Sequence, residues 1–170
     1  LRNVLAHEHG HGMGQLHVCP TSQTKLMEPF ISVAYDGPQF DDTLNAQRHY
    51  GDPMEPNDST GDATDLGSLN IGQSVQLGDT GPNGSGLTDV LSIDDNSDSD
   101  YFLVNLSSSS SITATVTPRG FTYLEGTQTS ACNTGNNYDA LNQKNLGIQV
   151  LDASGTVLQS VNDNGSGQAE

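Results

Sequence analysis

Four of the five histidines in this 170-residue chain lie in one glycine-rich stretch, HEHGHGMGQLH, at residues 7–17. His7 and His11 are four residues apart, so a helix would place both imidazoles on one face. Glu8 follows the first histidine directly and would point about 100° away around the same helix. Two imidazoles on one face can bind one metal ion, while the neighbouring carboxylate reaches a water molecule beside it. This spacing predicts a helix that carries a metal site.

The glycines after His11 predict how a third ligand would reach that metal. Catalytic zinc needs three protein ligands and an open fourth position. Gly12 and Gly14 weaken the helix, since each costs about 1 kcal/mol relative to alanine, and Gly14 can adopt a positive φ and reverse the chain. A turn at Gly14 would bring His17 back to the metal. The alternatives are a chance cluster of histidines and a histidine tract that scavenges zinc or nickel without catalysis.

The complete spacing, H-E-x-x-H-x-x-G-x-x-H, resembles the zinc signature of the metzincin endopeptidases. The residues at its fixed positions are His7, Glu8, His11, Gly14 and His17. The resemblance implies that the three histidines bind zinc and that Glu8 is the general base of peptide-bond hydrolysis. His9 fills a variable position and is expected at the surface or beside a ligand.

Two stretches further along the chain extend the resemblance. TKLMEPF contains Met27, and residues 26–29 resemble the turn that matrixins carry beneath the metal; matrixins are the metzincin branch that includes the matrix metalloproteinases. The alternative for Met27 is an ordinary core residue. FDDTLNAQRHYGD resembles the last helix of a matrixin catalytic domain. Asp41 or Asp42 is expected to cap that helix, and Gly51 to close it.

Charge and composition narrow the class of partner. The net charge is −16 with five Lys or Arg, which argues against nucleic acid. An acidic chain rich in Gly, Ser, Asn and Asp suits a secreted protein in a saline or calcium-bearing medium. No apolar run approaches the roughly 20 residues that span a bilayer. Cys19 and Cys132 leave three alternatives open: they pair with each other, pair outside this chain, or stay free.

The hydrophobic period changes to two after the first third of the chain. A segment rich in Pro, Gly and Asp predicts a linker over residues 52–60. Alternating apolar residues then predict strands between turns, which favours an antiparallel β-sandwich. The predicted strands lie within residues 101–106, 111–117, 147–151 and 156–161, the last two joined by a hairpin turn at 152–155.

Three segments of this β part, EPNDS, DSDYFLVNL and VLDASGTVL, resemble the bacterial pre-peptidase C-terminal domain. That module is a jelly-roll-like sandwich that follows the catalytic domains of secreted peptidases. The two resemblances imply an α+β chain: residues 1–51 from the C-terminal part of a metzincin catalytic domain, a linker over 52–60, and a truncated sandwich over 61–170. We therefore expect a fragment of a longer protein, and little peptidase activity from the isolated 170 residues.

Acidic turns in the β part raise the question of a second metal. Oxygen-bearing side chains are dense at Asp94, Asn96, Asp98 and Asp100, and calcium prefers such oxygen ligands. Glu55, Asn57 and Asp58 resemble residues that bind calcium in the related collagen-binding sandwiches of bacterial collagenases. Calcium binding and a solvated turn between strands are equal alternatives here.

The sequence thus favours a secreted zinc endopeptidase that acts on protein or peptide substrates, with the β part as an accessory module. One alternative is a non-catalytic module that binds extracellular matrix or a cell-surface polymer and keeps an inert active-site remnant. Another is a structural surface protein that uses zinc for folding. Glu8 favours the enzyme, because a purely structural zinc site has no use for a base.

Overall fold

A computed structural model of the chain describes residues 1–78, 91–120 and 122–170. Within these ranges it contains two helices and seven strands. The elements are α1 (Arg2–Gly12), β1 (Val18–Cys19), α2 (Phe40–Tyr50), β2 (Thr64–Leu69), β3 (Phe102–Leu106), β4 (Thr122–Thr127), β5 (Asn136–Asp139), β6 (Ile148–Leu151) and β7 (Val157–Val161). The chain therefore combines α and β structure, as predicted.

The strands form three small sheets, and most of the pairing is antiparallel. One sheet has the order β1-β4-β5, a second pairs β6 with β7, and both are antiparallel. The third sheet pairs β2 with β3 in parallel. No closed barrel forms among the described residues. The fold is thus β-rich and mainly antiparallel.

Helix α1 ends where the glycine pattern predicts. The amide of Met13 donates to the carbonyl of His9, and the amide of Gly14 donates to that of His11, each at 3.0 Å. Gly14 then adopts a φ of +84°, which glycine reaches without steric cost. The turn predicted at Gly14 is confirmed, and it sends the chain back toward the helix through Gln15.

Helix α2 begins earlier than its cap prediction assumed. Its N-cap is Gln39, so Asp41 and Asp42 both lie inside the first turn. The prediction that one of these aspartates is the N-cap residue is therefore wrong, because the helix starts at Phe40. Asp42 nevertheless supports the N-terminus, since its Oδ2 accepts a hydrogen bond from the Gln39 amide at 2.8 Å. Gly51 closes the helix at a φ of +75°, as expected.

The strands of the β part match the period-two pattern only in places. The segments predicted within 101–106, 147–151 and 156–161 are strands in the structure, and the last two form the expected hairpin. Residues 111–117 are not a strand, so that prediction is wrong. Of this segment, Val116 exchanges two backbone hydrogen bonds with Glu170, and its apolar Ile112 is exposed. An alternating pattern forms a strand only where a neighbouring chain supplies hydrogen bonds and cover.

The β part and the first 51 residues are joined by direct contacts. Strand β1 pairs with β4, and a disulfide links Cys19 to Cys132 across 113 residues of sequence. This disulfide selects one of the three alternatives that the sequence left open for the cysteines. Lys25, buried in the turn region, donates from Nζ to the carbonyl of Leu124 in β4 at 2.8 Å. These contacts place the β4–β5 hairpin against the histidine-bearing segment.

Neither of the two 11-residue helices of the described chain is long and apolar enough to cross a membrane.

Candidate metal centre

Helix α1 and the turn after it bring three imidazole rings together. Nε2 of His17 lies 3.1 Å from Nε2 of His7 and 3.0 Å from Nε2 of His11. The three ring centroids are separated by 4.8, 5.1 and 4.7 Å. Two nitrogen ligands of a tetrahedral zinc, each at about 2.05 Å from the metal, would lie about 3.3 Å apart. The observed separations are therefore close to those of three ligands around one metal.

The outer nitrogens of the two helical histidines are held by backbone carbonyls. Nδ1 of His7 lies 2.8 Å from the carbonyl oxygen of Leu26, and Nδ1 of His11 lies 2.8 Å from that of Gln15. A carbonyl only accepts, so both Nδ1 atoms carry the proton and both Nε2 atoms present a lone pair inward. At most one proton on His17 Nε2 could bridge to one of them. A cation at the centre would satisfy all three lone pairs.

The electrostatics of His17 also suit a metal ligand. Burial lowers the pKa of His17, and the nearby His11 and His7 lower it further, whereas the charge of Glu8 acts in the opposite direction. A lowered pKa keeps the imidazole neutral near neutral pH, which is the form that binds a metal.

The remaining residues of the signature lie at the surface. Glu8 is exposed beside the buried His7, so its carboxylate is open to solvent and to a substrate. His9 is exposed as well, as expected for a variable position. The structure thus brings His7, His11 and His17 together, and Glu8 is exposed on the helix that carries two of them.

Met27 lies directly behind the helix that carries the histidines. Its side chain is buried, and a Cβ added to Gly10 would lie 2.5 Å from its Sδ. The helix therefore needs glycine at position 10 in order to approach the methionine. The carboxylate of Asp42 holds the turn that contains Met27, because it accepts hydrogen bonds from the amides of Leu26 and Met27 at 2.7 and 3.0 Å.

The turn before Met27 is organised by one buried carboxylate. Glu28 is fully buried and accepts hydrogen bonds from the amides of Gln23, Thr24 and Lys25. Burial opposes ionisation of Glu28, but the amides of Thr24 and Gln23 and the charge of Lys25 outweigh it and lower its pKa. Glu28 could not be singled out from the sequence, because three of its partners are backbone amides, which every sequence has.

A second group of potential ligands lies between α2 and β3. Glu55, Asp98 and Asp100 each place one carboxylate oxygen within 4.8 Å of the others. Burial raises the pKa of Asp100 to about 7, and the charges of Asp98, Asp52 and Glu55 raise it in the same direction. Asn57 is fully buried, and neither atom of its side-chain amide has a hydrogen-bond partner in the described part of the chain. A cation would relieve the repulsion among these carboxylates.

The other residues predicted for calcium lie around this group and not within it. The amide of Asp94 donates to Oδ2 of Asp98 at 2.6 Å, which shapes the turn. Asp58 is exposed. Burial is the main cause that raises the pKa of Asp98 and of Asp100, and the charge of Asp58 is a smaller cause in the same direction. Asn96 is also exposed and accepts a hydrogen bond from Nζ of Lys144.

The chain was compared with protein families, with curated proteins and with solved structures. No family model, no curated protein and no solved structure matches this chain.

Proposed function

We propose that the chain carries the metal centre of a secreted zinc endopeptidase of the metzincin type, similar to the matrixins. The observation that carries the proposal is the convergence of three Nε2 atoms, with the two helical rings held in the ligand tautomer by Leu26 and Gln15. His7, His11 and His17 would hold the zinc. Bound zinc would supply a Lewis acid that activates water and polarises a peptide carbonyl.

Glu8 is the base in this proposal. It follows a ligand on the same helix, it is exposed, and its charge acts on His17. Its carboxylate would accept the proton of the attacking water and then give it to the leaving amine, which is the role of a general acid–base residue. The scissile bond of a protein or peptide substrate would lie over the open side of the histidine cluster. Met27 packs against the helix at Gly10 and takes no part in proton transfer.

The β part is proposed to be a jelly-roll-like sandwich of the pre-peptidase C-terminal type that binds calcium. Glu55, Asp98 and Asp100 would bind the ion, with the side-chain oxygen of Asn57, because calcium takes six to eight oxygen ligands. The unpartnered buried oxygens of Glu55, Asp98 and Asp100 within the described ranges fit that role. Secretion into a calcium-bearing medium would supply the ion.

A second candidate function is a module that binds extracellular matrix or a cell-surface polymer beside an inactive metal centre. The exposure of strand β7 is the observation that favours it, because most residues of this strand are open to solvent and could contact a partner. The two candidate functions make different predictions, because only the peptidase requires Glu8 for turnover.

The test is to compare Glu8→Ala with wild type in the full-length protein. Only the base is removed, so zinc content should stay at one ion per chain, while cleavage of an unfolded protein substrate should fall about 100-fold or more. His9→Ala is the matched control, because His9 is an exposed neighbour on the same helix and should cleave at the wild-type rate. Equal cleavage by wild type and Glu8→Ala would rule out the proposed mechanism, and no cleavage by either protein would favour the binding module.

A further inference from the structure

We propose that Asn3 and Tyr35 act together as positioning residues that hold the carbonyl group of Leu26 in place and thereby set the orientation of the His7 ring in the metal centre. The proposal rests on the proposed zinc site. It adds that the first ligand depends on the loop at residues 32–37, which lies outside the zinc signature. Neither Asn3 nor Tyr35 belongs to the H-E-x-x-H-x-x-G-x-x-H spacing.

Asn3 joins the start of α1 to this loop. It precedes His7 by four residues, and both side chains are buried on the same face of the helix. Nδ2 of Asn3 donates to the carbonyl oxygens of Ser32 at 2.9 Å and Tyr35 at 2.8 Å. Its Oδ1 accepts a hydrogen bond from the amide of Gly37 at 2.8 Å. A flipped amide would point its oxygen at two carbonyl oxygens, so these partners also fix which way the side chain faces.

The loop has few other contacts that could hold it against α1. Only Ser32 of the loop is buried, and Asp36 forms an ion pair with Arg2 at the exposed surface. An exposed ion pair of this kind contributes little to stability. The three hydrogen bonds of Asn3 are therefore the main link between the loop and the helix, and they place the backbone from which the Tyr35 side chain extends.

The hydroxyl of Tyr35 reaches from the loop to the turn that contains Met27. It donates a hydrogen bond to the carbonyl oxygen of Lys25, which can only accept. The nitrogen of the same peptide group belongs to Leu26 and donates to Oδ2 of Asp42 at 2.7 Å. Because a peptide group is planar, one hydrogen bond at its oxygen and another at its nitrogen fix the plane.

The next peptide group is the one that orients His7. Its oxygen is the carbonyl oxygen of Leu26, which lies 2.8 Å from Nδ1 of His7. Its nitrogen belongs to Met27 and donates to Oδ1 of Asp42 at 3.0 Å. Nε2 of His7 lies 3.1 Å from Nε2 of His17. Because the imidazole ring is rigid, a shift of the Leu26 carbonyl would move Nε2 of His7 away from the other ligand atoms.

The first test measures zinc affinity of the 170-residue chain by competition with a chromophoric chelator. Tyr35→Phe removes only the hydroxyl and should weaken zinc binding by about 5- to 20-fold. That is less than the loss of roughly 10- to 100-fold expected when the direct partner of a metal-bound histidine is removed. Tyr138→Phe makes the same change on β5, and Asp36→Asn removes an exposed charge from the same loop. Both control variants should bind zinc as wild type does.

Asn3→Leu and the double variant test whether the two residues act through one route. Asn3→Leu removes the three hydrogen bonds at similar volume and should weaken zinc binding at least as much as Tyr35→Phe does. If Asn3 acts by placing Tyr35, the double variant should match Asn3→Leu to within about twofold, because the second change removes a contact already lost. Two losses that multiply would contradict the shared route. If Asn3→Leu does not fold, Tyr35→Phe alone decides.

The second test reads the orientation of His7 without relying on turnover. In wild type, long-range ¹H–¹⁵N spectra of the imidazoles should show slowly exchanging Nδ1 protons on His7 and His11, which carbonyl oxygens hold. In Tyr35→Phe the proton of His7 should exchange with solvent faster, and the proton of His11 should not change. A general loss of structure would expose both protons equally and would contradict a role directed at His7.

The outcomes separate this proposal from the one it rests on. If wild type binds no zinc, the zinc site fails, and the role of Asn3 and Tyr35 in metal binding fails with it. If wild type binds zinc at the three histidines but Tyr35→Phe binds it equally well, with the Nδ1 proton of His7 still protected, the role of Asn3 and Tyr35 is wrong and the zinc site stands.

Discussion

At the scale of single residues, backbone carbonyls set the form of two of the three imidazole rings. Nδ1 of His7 and Nδ1 of His11 each lie 2.8 Å from a carbonyl oxygen, which leaves the Nε2 atom of each ring free for a metal. The four-residue interval between these histidines and the glycine at position 14 predict the histidine cluster, because both follow from helix and turn geometry. The packing of Gly10 against Met27 could not be predicted, because that contact exists only in the fold.

The two glycines of α1 should respond to alanine in opposite ways. A Cβ at position 10 would lie 2.5 Å from Sδ of Met27, whereas a Cβ at position 12 meets nothing within 4 Å. Gly10→Ala should destabilise the protein by about 1–3 kcal/mol, because overpacking outweighs the better helix propensity. Gly12→Ala should be neutral or stabilise it by up to about 1 kcal/mol. Urea denaturation of both variants measures this, and equal effects at the two positions would contradict the packing against Met27.

At the scale of elements, helices were predicted better than strands. The helix that carries His7 and His11 and the predicted last helix are both present. Helix α2 starts before the expected cap, and Asp42 supports its N-terminus from inside the first turn. Strand patterns could show which face is apolar but not which neighbour pairs with it. The segment 111–117 has the right alternation and lacks a paired strand, and β1 is only two residues long yet finds its partner in β4.

The turn that contains Glu28 should make stability depend on pH in the acid range. Its amide partners and Lys25 outweigh burial and hold the pKa below the ordinary value of 4.5. A carboxylate with a lowered pKa stabilises the fold above its unfolded pKa, and that contribution is lost as pH falls through the folded pKa. The contribution of Glu28 to the free energy of unfolding should therefore decrease as the pH falls below about 4.5.

Denaturation at a series of pH values checks this for wild type and for Glu28→Gln. The variant should be less stable at pH 7 and should lose less stability on acidification, because it has no carboxylate to protonate at this position. Asp62→Asn, at an exposed position, should follow the wild-type slope. If Glu28→Gln lost as much stability on acidification as wild type does, the pH dependence would arise from other groups.

At the scale of the whole molecule, composition predicted the mixture of classes but not the way in which the two parts are joined. The second part of the chain is acidic and rich in Gly and Asn, and its apolar residues alternate with polar ones, which indicated β structure. The mainly antiparallel sheets agree with that prediction. The β1–β4 ladder and the Cys19–Cys132 disulfide cross the predicted linker. This long-range pairing did not follow from one sequence, because the two cysteines had three alternatives and a two-residue strand has many possible partners.

Calcium should stabilise the β part through Glu55, Asp98 and Asp100. Binding to the folded state alone raises the free energy of unfolding by RT ln(1 + [L]/Kd), about 2.7 kcal/mol at a hundredfold excess over Kd. The melting temperature of the chain should therefore rise with calcium and fall with chelator. Asp98→Asn should abolish most of this response, whereas Asp95→Asn, at an exposed position outside the ligand group, should keep it. Equal melting temperatures with calcium and with chelator would identify these carboxylates as a solvated turn.

The claim on which the whole account depends is that His7, His11 and His17 together hold one zinc ion. Zinc-edge X-ray absorption of the metal-loaded chain measures this directly. We predict one zinc per chain with three nitrogen ligands at about 2.0–2.1 Å and an oxygen ligand in the remaining position, and loss of the imidazole pattern in His17→Ala. A sulfur ligand at about 2.3 Å, or a shell of oxygen ligands alone, would contradict the account.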